Sequence, residues 1–407
     1  MDIGFGQALL LFGGLLAIVA ALSGVMKGTV LSASVLSVAL GIGLAGAGVV
    51  HVDATDPAIV ELIELALVLT LFSDGMFVER ELLRRHWSPV ARALVIAMPI
   101  TMALLALAAK ALFPDLSWAE AFLLAAVLSP TEPVVTSAVV TSRLVPSAVR
   151  HTLNLESGLN DGLALPFVLF FLVLASPGGD AGAEAAKLVG EAAVGGLIGV
   201  GLGVLGGKLR HHLPGGGITP RYEGIYAVGF ALAAFGLADV SFGNGLIAAF
   251  VCGIAMAATE RDVPEAFVEF AENASTILQV LTFFVFGGLI VATGFHHSIP
   301  PLVVFVLFAL LFARPAAVML SFLRTGLPRS EKLFMAWFGP KGVASMLFAL
   351  LVLKSQVADD TLIFDIASLV IIASIVAHGL TDTIGTRWMA KRPGKAPDLV
   401  PATPPSR

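Results

Sequence analysis

The stretch NLESGLNDG, Asn154 to Gly162, leads directly into thirteen uncharged residues, Leu163 to Ala175. One long apolar run therefore begins with four polar side chains on the same segment: Glu156, Ser157, Asn160 and Asp161. A charged side chain at the centre of a bilayer costs at least ~2.5–3.5 kcal/mol, so such groups persist where they meet each other, water or an ion. The cluster therefore predicts a functional site inside a membrane-spanning helix.

The composition of the chain supports a membrane location. Hydrophobic residues make up 57% and charged residues 13% of its 407 residues, and the mean hydropathy is +0.94. A soluble domain carries about 25% charged residues, so half of that charge is missing. The net charge of −5 is spread along the chain, and nucleic acid is not an expected partner. The single Cys252 excludes disulfides within the chain and Cys-rich metal sites. We expect an all-α integral membrane protein without a cofactor.

Thirteen apolar runs are long enough to cross a ~30 Å hydrocarbon core as helices. They cover residues 4–22, 28–50, 57–78, 90–113, 119–141, 152–175, 185–206, 222–240, 243–259, 273–294, 300–323, 333–354 and 363–386. The Lys and Arg residues outside the membrane core divide unequally between the two sides, nineteen against three. Because cytoplasmic loops collect Lys and Arg, we expect the N-terminus outside and the C-terminus in the cytoplasm.

Two of the runs are interrupted at corresponding places. Span five contains SPTEPVV, Ser129 to Val135, and span twelve contains FGPKGVAS, Phe338 to Ser345. The two spans are seven apart, an odd number, so a repeat that relates them would be inverted in the membrane. Paired broken helices in inverted halves are typical of secondary transporters, although Pro and Gly also kink ordinary membrane helices. Pro133 would interrupt the helical hydrogen bonds and free carbonyls near Thr131 as ligands.

Four charged residues on four different spans lie at one depth. Counted from the nearest basic residue at the cytoplasmic end, at 1.5 Å per helical residue, all are about 14–16 Å into the membrane. They are Glu132, Asp161, Arg314 and Lys341. Side chains at this depth should meet each other or water rather than lipid.

The polar residues of span six form two neighbouring rows on one helix surface. Glu156 and Asn160 are four residues apart, and so are Ser157 and Asp161. Hydroxyl, amide and carboxylate oxygens suit a small hard cation. Burial disfavours the charged form of a carboxylate, so a proton and a cation can compete for Asp161. Exchange follows if the loaded site opens to each side in turn. The alternative is that Asp161 is only a structural partner of a basic residue in the cluster.

Arg314 and Glu156 are interpreted as an ion pair. Because arginine does not release its proton in proteins, Arg314 is a fixed counter-charge, and pairing with Glu156 leaves Asp161 free. Lys341 is predicted to fill the negative field at the broken ends of span twelve. Four further acidic residues receive no transport role: Glu61, Glu64, Asp74 and Asp239.

Several motifs together resemble the NhaP/NHE-type branch of the monovalent cation:proton antiporter superfamily, the sodium/proton antiporters. ESGLNDG resembles the Asn-Asp motif of that branch, SPTEPVV its Thr-Asp-Pro break, and GPKGVAS its second break. FARP (Phe312 to Pro315), AHGLTD (Ala377 to Asp382) and FGNGLIAAFVCGIAMA (Phe242 to Ala257) are similar to its arginine helix, its last span and its Gly-rich helix. The resemblance covers most of the chain, and the order and spacing of the fragments make it specific.

The resemblance implies an all-α antiporter fold of thirteen helices in two inverted six-helix repeats with crossed broken helices. Residues 1–387 would form one transporter unit. Spans 1–3 and 8–10 would be its dimer or scaffold half, spans 4–6 and 11–13 its ion-carrying core, and span 7 the linker. Residues 388–407 would form a disordered cytoplasmic tail. A homodimer, an elevator-type movement of the core and a prokaryotic inner or plasma membrane are implied as well.

The resemblance also implies roles for the site residues. Asp161 would carry the cation or the proton, Ser157, Thr131 and Glu132 would complete the site, and Asn160 would order it. An Asn before this Asp is the pattern associated with electroneutral one-for-one exchange of Na⁺ or Li⁺ for H⁺. The family's usual aspartate after Thr is Glu132 here, one methylene longer, which leaves the choice between Na⁺ and K⁺ open.

The expected function is therefore that of a transporter and not of an enzyme, with Na⁺/H⁺ antiport first and K⁺/H⁺ antiport second. A cation channel is disfavoured, because channels gather like charges around a symmetric pore and here acidic and basic residues mix. An intramembrane protease would need Asp161 with Glu132, or Ser157 with Lys341, as its catalytic pair. No oxyanion site or oriented base accompanies either pair, which disfavours this class.

Overall fold

The computed structural model describes residues 5–26, 33–53, 56–82, 87–132, 139, 142, 144–176, 181–210, 218–259, 265–294, 297–355 and 357–392. This part of the chain forms fourteen helices and no strand. They are α1 (Phe5–Met26), α2 (Ala33–Gly46), α3 (Pro57–Leu82), α4 (Trp87–Leu112), α5 (Trp118–Val127), α6 (Ser147–Ala175), α7 (Ala181–Arg210), α8 (Pro220–Val240), α9 (Gly245–Thr259), α10 (Glu265–Thr293), α11 (Ile299–Ser321), α12 (Arg329–Trp337), α13 (Val343–Lys354) and α14 (Asp360–Ala390). The prediction of an all-α protein is confirmed.

Each predicted span falls on one helix except the fifth, of which α5 covers only the first part, and the twelfth, which the chain divides into α12 and α13. Within α4, α6, α7, α8, α10, α11 and α14 the described residues are long and apolar enough to cross a membrane. Span five begins with α5, but residues 133–138 lie outside the described part of the chain. The helix α14 continues to Ala390, past the predicted start of the tail, and Arg392 lies 5.0 Å from the Trp388 ring. Residues 393–407 of that tail lie outside the described part.

The two interrupted spans stop where proline removes a backbone donor. The helix α5 begins with a capping box, in which Glu120 N–H donates to Ser117 Oγ (3.2 Å) and Ser117 N–H donates to Glu120 Oε2 (2.7 Å). It ends before Pro130, and α12 ends before Pro340. Proline lacks the N–H that the next helical hydrogen bond needs. Both helices therefore end inside their predicted spans.

The helices α4 and α11 share an irregularity. Each contains a single π-helical turn, Ala93–Ala97 in α4 and Ala309–Ala313 in α11. A proline follows each turn, at Pro99 and Pro315. A wider turn before a proline accommodates its missing N–H within a continuous helix. The two helices correspond to predicted spans four and eleven, which are seven spans apart.

Two pairs of helices approach each other closely at glycines. A Cβ on Gly75 of α3 would lie 2.3 Å from a backbone oxygen of α9, and one on Gly253 of α9 would lie 2.2 Å from a backbone oxygen of α3. Gly41 of α2 and Gly287 of α10 form the same reciprocal contact, at 2.1 and 2.3 Å. Small residues at close crossings are typical of membrane helices. Because α3 also packs on α6, the α3–α9 crossing borders the polar cluster.

A continuous apolar core surrounds both breaks. It joins α4, α5 and α6 with α10, α11, α13 and α14. Phe286 on α10, Phe348 on α13 and Phe364 on α14 are completely buried in it. The polar residues of the breaks are therefore enclosed by hydrocarbon, and their hydrogen bonds form in an environment of low polarity.

Candidate functional site

The polar residues predicted for the site lie together where the two breaks meet α6. Each is at most 8% exposed: Thr131, Glu132, Glu156, Ser157, Asn160, Asp161, Arg314 and Lys341. The helix α6 supplies four of them, α11 supplies the arginine, and the two breaks supply the remaining three. Charged side chains are almost never this deeply buried unless they are paired or bind a ligand.

The first break is attached to α6 through Thr131. Asn160 Nδ2 donates to Thr131 Oγ1 (2.6 Å), and Thr131 N–H donates to Asn160 Oδ1 (3.3 Å). Ser157 Oγ donates to the Thr131 carbonyl oxygen. The carbonyl predicted to be a freed ligand thus already accepts a hydrogen bond. The hydroxyl oxygens of Ser157 and Thr131 retain lone pairs for an ion. Pro133, from which the break was predicted, lies outside the described residues.

The two breaks cross and contact each other. Glu132 N–H donates to the Pro340 carbonyl oxygen (2.8 Å). Lys341 Nζ donates to the carbonyl oxygens of Pro130 (3.1 Å) and Ser129 (3.3 Å). The sequence placed this ammonium group at the broken ends of span twelve, but it lies at the C-terminal end of α5. The crossing explains the difference, because it points the side chain at carbonyls that carry partial negative charge.

Arg314 and Glu156 form a two-point ion pair. Nη1 lies 2.6 Å from Oε1 and Nη2 lies 3.1 Å from Oε2. The guanidinium group also lies against the second break, because a Cβ on Gly339 would be 2.0 Å from Arg314 Nε. Two parallel N–H···O bonds fix the orientation of both side chains. The ion pair therefore connects α11, α6 and the second break.

Asp161 is a carboxylate that the Glu156–Arg314 ion pair and the hydrogen bonds of Lys341 do not involve. Its Oδ1 is buried and has no hydrogen-bond partner among the described residues. Arg314 binds Glu156, and the ammonium group of Lys341 donates to the carbonyls of the first break. A buried acceptor without a partner loses its hydration and gains nothing in return. A bound proton or cation would satisfy it.

Asp74 on α3 is a further carboxylate at this site, although its sequence context predicted no transport role for it. Its Oδ1 lies 4.0 Å from the Cβ position of Gly158 on α6, and its Oδ2 has no hydrogen-bond partner among the described residues. The charges of Asp161 and Glu132 are close enough to act on it. Its signal in the sequence is an aspartate inside an apolar run. The common-depth criterion missed it because Asp74 is only six residues from Arg80, nearer the end of its predicted span than the middle.

The other three acidic residues without a predicted role lie elsewhere. Glu61 and Asp239 are exposed. Glu64 forms a partly exposed ion pair with Lys354 at 3.5 Å. Surface pairs of this kind contribute at most about 1 kcal/mol to stability.

Two glycines of α6 give a first test of the packing around Asp161. A Cβ on Gly162 would lie 2.3 Å from the Phe250 ring of α9, whereas a Cβ on Gly158 meets nothing closer than 3.8 Å. We expect Gly162→Ala to lower the free energy of unfolding by roughly 1–3 kcal/mol through overpacking. Gly158→Ala should change it by less than about 0.5 kcal/mol. Thermal unfolding in detergent measures both, and equal melting temperatures would contradict the contact.

A family model and known proteins of similar sequence all point to cation/proton antiporters. A family model described as sodium/hydrogen exchanger, transmembrane, matches residues 14–388. The K⁺/H⁺ antiporter NhaP of Alkalimonas amylolytica is 27% identical over 365 residues, which are 88% of this chain and 63% of that protein. A probable Na⁺/H⁺ antiporter of Schizosaccharomyces pombe is 29% identical over 320 residues, 74% of this chain and 42% of that protein. The chain thus spans less than two thirds of the length of these relatives.

Solved structures have the same fold. A structure of the sodium proton antiporter MjNhaP1 from Methanocaldococcus jannaschii matches with a TM-score of 0.74 and 20% identity, over 94% of this chain and 98% of that one. A second structure of the same protein matches with a TM-score of 0.79 and 19% identity, over 96% of this chain and 100% of that one. Nearly the whole described helical arrangement therefore has a counterpart of known structure.

Proposed function

The chain belongs to the sodium/hydrogen exchanger family of integral membrane proteins, and from this premise we propose that it exchanges Na⁺ or Li⁺ for H⁺. The observation that carries the proposal is the buried Asp161 Oδ1, for which the described part of the chain provides no hydrogen-bond partner. A proton and a small hard cation are the ligands that suit this oxygen and the hydroxyls beside it. Because each ligand excludes the other from one carboxylate, the exchange is one for one and electroneutral.

Each residue of the cluster receives a role in this proposal. The cation binds oxygens of Asp161, Ser157, Thr131 and Glu132, while Asn160 orders the first break through its two hydrogen bonds to Thr131. The nearby carboxylate of Asp74 adds negative charge on the α3 side. The Glu156–Arg314 pair is structural, and Lys341 compensates the carbonyl end of α5.

We propose thirteen membrane spans in two inverted repeats, with α12 and α13 as one broken span. Three features support a relation over seven spans: the breaks of spans five and twelve, the π turns of α4 and α11, and the glycine crossings. The crossings fit because a seven-span shift exchanges the α2–α10 pair with the α9–α3 pair. Spans 1–3 and 8–10 form the scaffold, spans 4–6 and 11–13 the moving core, and span 7 the linker.

The proposed topology places the N-terminus outside, the C-terminus in the cytoplasm and the scaffold halves of two copies together in a homodimer of a prokaryotic membrane. An elevator-type movement of the core then carries Asp161 past the scaffold helix α3. Native mass spectrometry of the detergent-solubilised chain tests the dimer. Labelling of single cysteines placed at either end of α6 in intact cells tests the orientation.

Reconstitution in vesicles tests the transport reaction. Vesicles with an imposed pH gradient and an internal pH dye are given Na⁺, Li⁺ or K⁺ in turn. The proposal predicts that Na⁺ and Li⁺ dissipate the gradient, and that an imposed membrane potential leaves the rate unchanged. A gradient that none of the three cations dissipates would overturn antiport. A conductance far above carrier turnover would favour a channel instead.

The second candidate is K⁺/H⁺ antiport by the same site. Its support is that relatives carry this description, including NhaP of Alkalimonas amylolytica and NhaP2 of Shewanella oneidensis, which is 25% identical over 329 residues. The same vesicle assay separates the two candidates, because K⁺ then dissipates the gradient at lower concentration than Na⁺. The site residues and their roles are the same in both.

Glu132 is the residue on which we expect the ion preference to depend. Its backbone is fixed by the hydrogen bond to Pro340, and its side chain lies against Gly342, whose Cβ position is 2.1 Å from Glu132 Cβ. Glu132→Asp withdraws the carboxylate by one methylene and enlarges the site. We expect the ratio of K⁺ to Na⁺ transport to rise about tenfold, since one methylene has an effect of this order. If exchange is intact and the ratio of K⁺ to Na⁺ transport is unchanged, Glu132 is not a ligand of the cation.

A further inference from the structure

The second break removes several helical backbone hydrogen bonds, and one of them joins Lys341 to Trp337. In a continuous helix, Lys341 N–H would donate to the carbonyl oxygen of Trp337, four residues earlier. The chain between them, Phe338 to Pro340, is not helical, so this bond is absent. Both groups lie inside the apolar core, where a backbone group without a partner is strongly destabilising. Gly339 N–H, within the break itself, donates to the Trp337 carbonyl oxygen (3.0 Å), which keeps a lone pair for a second donor. Lys341 N–H is the group whose partner has to come from another helix.

Two side chains of α14 form hydrogen bonds with these two backbone groups. Lys341 N–H donates to Ser374 Oγ (2.9 Å), and His378 Nε2 lies 2.8 Å from the Trp337 carbonyl oxygen. The two side chains also contact each other, with His378 Nδ1 3.2 Å from Ser374 Oγ. Ser374 and His378 are 0% and 3% exposed. A chain of side-chain hydrogen bonds thus connects the two backbone groups that the break separated.

Each ring nitrogen of His378 faces a backbone carbonyl oxygen, so its hydrogen bonds depend on which nitrogen carries hydrogen. With hydrogen on Nδ1 alone, the ring donates only to the Ser374 carbonyl oxygen; the two forms with hydrogen on Nε2 differ from this. With hydrogen on Nε2, the ring donates to Trp337 O, and Nδ1 can accept from the Ser374 hydroxyl. A doubly protonated ring would donate to Trp337 O as well, and its Nδ1 would donate to the Ser374 carbonyl oxygen, which lies 2.7 Å away. Both forms place a donor on Trp337 O. The Trp337 ring stacks on the imidazole at 5.1 Å between centroids and keeps its plane fixed.

We propose that Ser374 and His378 are positioning residues, which replace the hydrogen bond lost at the second break and thereby set the geometry of the ion site. The argument rests on the function proposed above. Between the two attachment points lies Pro340, whose carbonyl oxygen holds the backbone of Glu132. At one attachment point is Lys341, whose ammonium group holds the end of α5. A displaced break would therefore move both the proposed ligand Glu132 and the charge that compensates α5.

Three substitutions in α14 and one control test this role. Ser374→Ala removes the acceptor for Lys341 N–H, and His378→Leu removes the hydrogen bond from α14 to Trp337 O, which keeps only the one from Gly339 N–H. His378→Gln keeps an N–H donor and an acceptor on the same side chain. The control is Ser368→Ala, because Ser368 is also fully buried on α14 but its Oγ has no hydrogen-bond partner among the described residues.

We expect Ser374→Ala to raise the apparent KM for the cation about tenfold, since it leaves the buried Lys341 N–H without a partner. We expect a rise of the same order in His378→Leu, since it detaches the Trp337 carbonyl oxygen from α14. His378→Gln and Ser368→Ala should stay within about twofold of wild type. Because the two residues act in one chain, the double variant should be little worse than either single variant. A role in folding alone would lower the melting temperature without changing the KM.

A second measurement is independent of transport. Amide hydrogen–deuterium exchange of the peptide that covers residues 337–342 should become faster in Ser374→Ala and His378→Leu, and remain slow in His378→Gln and Ser368→Ala. If wild type shows no exchange activity, the proposed function fails, whereas this protection pattern still tests the hydrogen-bond chain. Identical protection in His378→Leu and Ser368→Ala would overturn the proposal, and so would a wild-type KM in folded His378→Leu.

Discussion

We expect Asp161→Asn to abolish cation-driven proton movement in reconstituted vesicles while the protein remains folded. Asparagine has nearly the same shape, so the packing of α6 is preserved. Its amide neither takes up a proton near neutral pH nor supplies the negative charge that balances a bound cation. Both half-reactions of the exchange are therefore lost together. The measurement is the rate at which Na⁺, Li⁺ or K⁺ dissipates an imposed pH gradient.

The same substitution should make the protein more stable. Asp161 lies near the carboxylates of Glu132 and Asp74, and like charges in a buried site oppose each other. Removing one charge relieves this repulsion, and we expect the free energy of unfolding to rise by roughly 0.5–2 kcal/mol. Asp239→Asn, at an exposed carboxylate on α8, is the matched control and should change neither activity nor stability. Intact exchange in Asp161→Asn would exclude Asp161 as the carrier.

The sequence determines the helical architecture because hydropathy acts on long segments. A run of about twenty apolar residues has few alternatives to a membrane helix, and every predicted span coincides with helical structure in the described residues. The interruptions were predictable as well, since proline removes a donor wherever it stands. The depth of a side chain in the membrane could also be estimated from the sequence, because each helical residue adds a fixed rise along the helix axis.

The sequence does not determine which side chains meet across helices. Lys341 was assigned to its own span, yet its ammonium group lies at the end of α5, because that contact depends on how the two breaks cross. Asp74 reaches the site because glycines let α3 and α9 pack closely, and its side chain then lies beside Gly158 of α6. Ser374 and His378 have no motif that relates them to Trp337 across the intervening helix α13. Such contacts are tertiary, and local pattern carries little information about them.

The second large effect should follow from Arg314→Met. This change leaves Glu156 buried with its charge unpaired, and we expect the free energy of unfolding to fall by roughly 3–5 kcal/mol. Chemical or thermal unfolding in detergent measures the loss. The control is Lys354→Met: Lys354 lies 3.5 Å from Glu64, and these side chains are 50% and 40% exposed, compared with 10% and 6% for Arg314 and Glu156. Water can reach the control pair, so its loss should be nearer about 1 kcal/mol.

Replacing both Glu156 and Arg314 distinguishes a structural role of this ion pair from a role in transport. In Glu156→Gln/Arg314→Met no charge is left unpaired, so much of the stability lost in Arg314→Met should return. If the pair only holds α6, α11 and the second break together, the double variant should also recover measurable exchange, because Asp161 and its neighbouring hydroxyls remain. A double variant that regains stability but not exchange would instead place Glu156 or Arg314 in the transport reaction. The distinction depends on stability and activity being measured on the same preparations, since Asp161 can carry an ion only if α6 stays in place.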